Sequence, residues 1–277
     1  MDERRGWFLT RLGMEPPFRI LVRALLKQLN VSVETRALWE LSNRPAYLLG
    51  VLTAAQQARK QNVPEISVIE FGVAGGNGLV ALQHEAEAVE RETGIRIKVY
   101  GFDAGPQGLP AFIGDYRDHP EEWQPGDYPM DEPALRARLT DRTTFILGNV
   151  KDTVPGFFND FQPPPIGFVS IDLDLYSSSR EALQIFRNPH KKMLWHVPVY
   201  FDDIEFLFNH KFAGELLAID EFNEESSQVK IDRWYGVKMG RPFPDRPFLE
   251  KLYVAHDLEA ISKVALKRNT ALLPLKA

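Results

Sequence analysis

Four carboxylates stand in two short motifs, Asp172 and Asp174 in IDLDLY (171–176), and Asp202 and Asp203 in FDD (201–203). Each motif closes an apolar, β-rich run, so each belongs at the carboxyl end of a strand, where open α/β sheets bind ligands. If the two strands are parallel neighbours, Asp172, Asp202 and Asp203 reach one crevice. Three carboxylates that close repel one another unless a cation sits between them. An all-oxygen set suits Mg²⁺ or Ca²⁺ and keeps positions open for water or substrate. The alternative is three separately solvated loop acids. The chain has no cysteine, which removes thiolate catalysis, thiolate metal sites and disulfides.

A second chemical feature is EFGVAGGNG (70–78), directly after the apolar run ISVI. Gly76-Asn77-Gly78-Leu79-Val80-Ala81 satisfies the dinucleotide pattern G-x-G-x-x-G/A, and Asp103 lies where a ribose-binding acid is expected, so an NAD enzyme is one reading. Against it, a dinucleotide fingerprint begins where the strand ends, whereas Gly72-Val73-Ala74-Gly75 intervenes here. S-adenosylmethionine has no pyrophosphate to seat on a helix N-terminus. It needs space for its amino acid portion and acids for its ammonium and ribose hydroxyls, and Glu70-Phe71-Gly72-Val73-Ala74-Gly75-Gly76 offers both. A glycine-rich turn without a ligand is the third reading.

These residues need a scaffold. β-rich runs at 66–72, 97–103, 144–148, 166–172 and 193–201 alternate with helix-like stretches, and 229–235 and 250–256 complete the set. The pattern predicts an α/β fold, a Rossmann-like doubly wound, mostly parallel seven-stranded sheet with helices on both faces. Leu79, Leu82, Ala86 and Val89 give the helix after the first strand one apolar face, and Gly94 ends it. Ser178 with Glu181 has capping-box spacing, which predicts a helix starting there. Stretches 16–30 and 36–60 look helical without strand partners, so residues 1–60 are expected as an N-terminal helical cap or oligomer segment before a main domain over 61–277. The stretch 104–133, rich in proline and glycine, is expected as a long functional loop above the sheet.

Charge and hydropathy narrow the partners. The 33 Lys and Arg against 38 Asp and Glu give a net charge of −5, spread along the chain, so no track for a nucleic acid backbone is expected. No run approaches a membrane span, and MDERRGWFLTRLG lacks a signal-peptide core, which predicts a cytoplasmic protein with no membrane partner, acting on a small molecule as a homo-oligomer.

Taken together, the motifs resemble the macrocin O-methyltransferase family, metal-dependent enzymes that methylate sugar hydroxyls. Phe102-Asp103 with Gly108-Leu109-Pro110 resembles its FD…GLP signature, and Ile171 to Tyr176 with Ser177 and Ser178 its D-x-D-L-Y-x-S/T motif. Phe201-Asp202-Asp203 resembles its DDY, and Ile219-Asp220-Glu221-Phe222 its V-D-E-F helix. Asn149 to Pro155 resembles the stretch that flanks adenine in catechol O-methyltransferase and its relatives. The resemblance, in order from about 66 to 225, implies that Glu70, Gly72, Val73 and Gly75 line the methionine portion of S-adenosyl-L-methionine. It implies that Asp103 holds the ribose, that Asn149, Val150 and Lys151 flank adenine, and that Asp172, Asp202 and Asp203 hold Mg²⁺ beside the cofactor. Asp174 and His210 are the candidates for the base that takes the acceptor hydroxyl's proton. Two departures bear on the site: Asn188 to His196 replaces the family's Pro-Gly-Gly turn at the rim of the substrate pocket, and Ile204 stands where the family has Tyr, followed by the bulky Glu205 to Asn209 beside the expected metal, which bears on metal dependence. An NAD-dependent oxidoreductase and a cofactor-binding scaffold without activity are the alternatives.

Overall fold

The computed structural model describes residues 15, 17–187 and 192–265. The elements in chain order are α1 (Phe18–Leu26), α2 (Val33–Leu38), α3 (Pro45–Gln61), β1 (Glu65–Phe71), α4 (Asn77–Thr93), β2 (Arg96–Asp103), α5 (Glu132–Arg136) and β3 (Thr143–Leu147). They continue with α6 (Val150–Thr153), α7 (Phe157–Asp160), β4 (Ile166–Ile171), α8 (Tyr176–Ala182) and β5 (His196–Phe201). The chain then forms α9 (Gly214–Glu225), β6 (Val229–Arg233), β7 (Leu252–Asp257) and α10 (Leu258–Ser262). The segment before residue 15 and residues 188–191, part of the stretch that replaces the Pro-Gly-Gly turn, lie outside the described residues.

All seven strands join one sheet in the order β3-β2-β1-β4-β5-β7-β6. The pairings β3-β2, β2-β1, β1-β4 and β4-β5 are parallel, and β7 runs antiparallel between β5 and β6. The strand order reverses between β1 and β4, which opens a crevice at their carboxyl ends. Right-handed connections put α4, between β1 and β2, and α8, between β4 and β5, on opposite faces. β4 is buried along its whole length and β1 beyond Glu65, as expected of strands covered on both sides.

The expected seven-stranded, mostly parallel fold is therefore observed. Leu79, Leu82, Ala86 and Val89 are buried at 0 to 3% exposure, and Gly94 caps α4 at φ +74°, a left-handed conformation that costs glycine little. The expected capping box does not form. α8 starts at Tyr176 with Leu175 at the N-cap and no side-chain cap, and Ser178 is buried within the helix, because the chain turns at the left-handed Asp174 before Ser178 is reached. The helical stretch read as 36–60 is two helices, broken at 39–44. α3 lies across β1, β4 and β5 beside α4, and α2 packs on both helices. Gly50 permits this close seat, since a Cβ there would come 2.3 Å from the Phe168 ring. Val33, Ala37, Tyr47, Leu48 and Val51 belong to the same core as the sheet. Among the described residues no helix is long and apolar enough to cross a membrane.

Candidate active site

The cleft opens at the carboxyl ends of β1, β2 and β4 and is walled by Gly72, Ala74, Asp103, Asn149, Val150, Asp172 and Asp174, with Gly108 to Pro110, Asp127 and Tyr128 closing it from the long loop. Gly72 explains how the crevice is built. Its φ is +83°, and a Cβ would fall 1.6 Å from the carbonyl oxygen of Asp172, so only glycine lets the ends of β1 and β4 approach this closely. Asp103 organises the turn. Its Oδ2 accepts the N–H groups of Val73 (2.9 Å) and Ala74 (2.8 Å), and its Oδ1 accepts that of Gly105 (2.7 Å). A carboxylate has about four acceptor sites, so roughly one remains on Oδ1 for a ligand hydroxyl.

Glu70 is placed differently from the expectation that it lines the cleft. Its side chain is 1% exposed beneath the start of α4, with Oε1 accepting the Tyr47 hydroxyl at 2.6 Å and Oε2 buried without a partner. A Cβ on Gly78 would meet Glu70 Oε1 at 2.0 Å. The second glycine of the dinucleotide pattern thus makes room for a buried carboxylate inside the protein. Val73 and Gly75 do not wall the cleft, and Lys151 is exposed. Asn149 caps α6 through its side chain, which accepts the Lys151 N–H at 3.0 Å, while Val150 faces the cleft.

Burial raises the Glu70 carboxyl from 4.5 to about 8, against the lowering effect of the Tyr47 hydrogen bond and with Asp172 and Asp103 adding to the rise. The folded protein therefore holds this proton more tightly than the unfolded chain. The associated stability is complete below about pH 4.5 and is lost as pH climbs through about 8. Glu70→Gln, which keeps an oxygen for Tyr47, should raise the Tm at pH 8.5 above that of the wild type and flatten the decline between pH 5 and 8.5. Thermal unfolding in metal-free buffer measures this, and a variant less stable than the wild type at pH 8.5 would mean that the carboxylate is needed ionised.

The acids from β4 and β5 do meet. One oxygen from each of Asp172, Asp202 and Asp203 lies within 4.8 Å of the other two. Asp202 Oδ1 accepts the Tyr200 hydroxyl at 2.6 Å and faces Lys251 Nζ at 3.5 Å. Asp203 Oδ2 accepts the Asp174 N–H at 3.2 Å, and the Asp203 N–H donates to Oε2 of the wholly buried Glu215 at 3.0 Å. Desolvation, then Asp202 and Asp203, push the Asp172 carboxyl to about 8, with Arg44 and Lys251 pulling the other way. Asp174 is also raised, by burial and by Asp203. Crowded carboxyls that hold protons against their ordinary acidity are what a divalent cation would relieve, and a donor set of oxygens alone fits Mg²⁺.

His210 is not brought into the cleft. It is exposed on the loop after Asp203, with its ring 5.2 Å from that of His119. Ile204 turns inward at 5% exposure, Phe206 packs edge-on against Trp123 and His119, and Leu207 and Phe208 stand exposed. The most consequential residue without a sequence signal is Asp118. It is wholly buried in the long loop, its Oδ2 accepting the Ile113 N–H (2.8 Å) and the Ser177 hydroxyl (3.1 Å), and its Oδ1 accepting the Ser177 N–H (2.8 Å). This carboxylate ties the loop to the start of α8. A neighbouring hairpin-like pair, the Leu109 N–H to the Asp127 carbonyl (2.8 Å) and the Gly126 N–H to the Leu109 carbonyl (3.0 Å), keeps Leu109 and Tyr128 at the cleft.

Comparison with solved structures finds the fold in CalS11, a calicheamicin methyltransferase, at 21% identity, covering 87% of this chain and 93% of that chain with a TM-score of 0.51. The chain is also similar to the O-methyltransferase NovP, at 20% identity over 65% of this chain and 72% of that chain with a TM-score of 0.48. No protein-family model and no curated protein matches the sequence.

Proposed function

We propose that this chain is an S-adenosylmethionine-dependent O-methyltransferase that works with a bound Mg²⁺ and methylates a hydroxyl of a sugar or another natural-product intermediate. The observation that carries this reading is the shared wall at the sheet's switch point, where the Gly72 turn touches the backbone of Asp172 and the Asp172 carboxylate converges with Asp202 and Asp203. Asp172 thereby belongs both to the wall of the cleft and to the acid cluster, which supports a methyl donor and a cation working side by side. The fold likeness to a calicheamicin methyltransferase agrees with the reading.

The roles follow from the geometry. Gly72, Ala74 and the remaining Asp103 acceptor site would hold the cofactor's amino acid and ribose ends, and Asn149 with Val150 its base. Asp172, Asp202 and Asp203 would hold the cation, which when bound lowers the pKa of an acceptor hydroxyl and fixes its oxygen. Asp174 lines the same cleft, within reach of an acceptor beside Asp172, and is the carboxylate placed to take the hydroxyl's proton. The long loop covers the cleft and limits water, which protects a sulfonium donor from unproductive hydrolysis. The NAD reading loses its support at Gly78, whose missing side chain faces buried Glu70 instead of a pyrophosphate site.

Calorimetric titration of S-adenosylmethionine into chelator-treated protein, repeated with Mg²⁺ and with NAD as control, tests the proposal. Saturable binding of S-adenosylmethionine without NAD binding is expected. The reverse result would return the glycine turn to a dinucleotide.

A further inference from the structure

A second cavity, of about 400 Å³, opens between α1 and the segment 241–246, and its walls are Arg19, Ile20, Arg23, Phe243, Asp245 and Arg246. That volume is in the range of small-molecule sites. Three guanidinium groups crowd a single aromatic ring, with Arg19, Arg23 and Arg246 at 5.3, 5.5 and 5.2 Å from the centroid of Phe243. Stacking on one ring positions them, but it does not neutralise three like charges brought together.

Their polar contacts leave donors over. Arg19 Nη1 donates to the Pro242 carbonyl at 2.9 Å and Arg23 Nη2 to the Glu40 carbonyl at 2.8 Å, both neutral acceptors. Arg246 Nε donates to Oε2 of Glu40 at 2.7 Å. The Nε atoms of Arg19 and Arg23 are buried without a partner among the described residues. Among the described residues, the acids that face the group are Glu40, 2% exposed and joined to Arg246, and Asp245 in the wall. Among the described residues, three permanent cations thus meet two carboxylates, of which one is already engaged.

The cavity is tied through its arginines to the segment that leads into α3. α3 precedes β1 and runs back along it, so its first turn stands at the carboxyl ends of the strands, where Arg44 feels the charges of Asp172 and Asp202. Glu40, which holds Arg246, is four residues before Arg44, and Arg241 is tied to the same segment through the Ala37 carbonyl at 2.7 Å.

We propose that this cavity is a phosphate subsite, in which the forks of Arg19, Arg23 and Arg246 take the oxygens of a phosphate or diphosphate while Phe243 and Ile20 pack against the organic group attached to it. Guanidinium forks match phosphate oxygens in pairs, and a phosphate carries the charge this cluster lacks. Resting on the methyl-transfer reading, the organic group is the acceptor itself, a phosphorylated or nucleotide-linked compound anchored here with its hydroxyl toward Asp172.

The test is calorimetry on the full chain in metal-free buffer, so that the acid cluster cannot bridge to the probe, using inorganic pyrophosphate and uridine diphosphate. The wild type should bind pyrophosphate saturably. Arg23→Gln and Arg19→Gln should each weaken it about tenfold or more, with Arg23→Lys restoring part of the loss, as expected of a charge-assisted contact. Wild-type unfolding temperature and unchanged S-adenosylmethionine binding in the variants exclude a general folding defect. Uridine diphosphate binding at least about tenfold tighter than pyrophosphate supports an organic phosphate, and equal affinities overturn the acceptor assignment in favour of a free anion. Absence of saturable binding to either probe, or Gln variants that bind as the wild type does, overturns the subsite. Loss of S-adenosylmethionine binding in the wild type with pyrophosphate binding intact would sink the methyltransferase reading and leave the subsite standing.

Discussion

Asp202→Asn is expected to lower methyl transfer about 10³-fold, the equivalent of roughly 4 kcal/mol of transition-state stabilisation. The substitution keeps an oxygen for the Tyr200 hydroxyl and for Lys251, so local packing survives while one of the three converging charges disappears. Two readouts with opposite signs make the result diagnostic. In metal-free buffer at pH 8 the variant should unfold at the wild-type temperature or higher, because Asp202 is the largest charge pushing the Asp172 carboxyl up. With Mg²⁺ added, the stabilisation seen in the wild type should vanish, since only binding to the folded state raises Tm. Turnover is read on whichever hydroxylated acceptor a screen with labelled cofactor identifies. Equal Mg²⁺ stabilisation in wild type and variant would mean that the cluster is not a cation site.

The second large effect is expected at Asp174. Asp174→Asn should reduce kcat by 10²- to 10⁴-fold, the usual contribution of a positioned base, while cofactor affinity stays within about threefold of the wild type. Asparagine tolerates the left-handed conformation that Asp174 adopts at φ 62°, and the backbone N–H that donates to Asp203 is untouched. His210→Ala, on the exposed loop, should leave kcat within about threefold. A variant at Asp174 that keeps its rate while His210→Ala loses it would transfer the role of base to a residue that moves into the cleft only with substrate bound.

The parts of this molecule that could be read from the chain are those written in local patterns. Strands β1 and β4 announce themselves as apolar runs, the α4 face as spacings of three and four, and Asp172, Asp202 and Asp203 as acids that end adjacent parallel strands. Glu70 shows where that reading stops. A strand buried on both faces has no polar side to mark orientation, so nothing in EFG says that this carboxylate turns inward to Tyr47, a partner 23 residues earlier. Asp118 is similarly silent, because its value lies in reaching Ser177, 59 positions further along the chain. Ser178 and Glu181 had the spacing of a cap and not its backbone, since the strand end and Asp174 set the start of α8 instead. The arginine cluster needs residues about 220 positions apart, as in the Arg19 to Pro242 contact, and no motif spans that distance.

Asp118 also bears on time. Releasing this part of the long loop means giving up three hydrogen bonds to a carboxylate that water does not reach, so it detaches in a discrete unlatching event and not by the continuous flutter of a loose strap. The amides of Ile113 and Ser177 share that single acceptor group and should show the same opening free energy in hydrogen exchange. If the acceptor enters past this loop, the frequency of that detachment sets a ceiling on turnover however fast the chemistry within becomes.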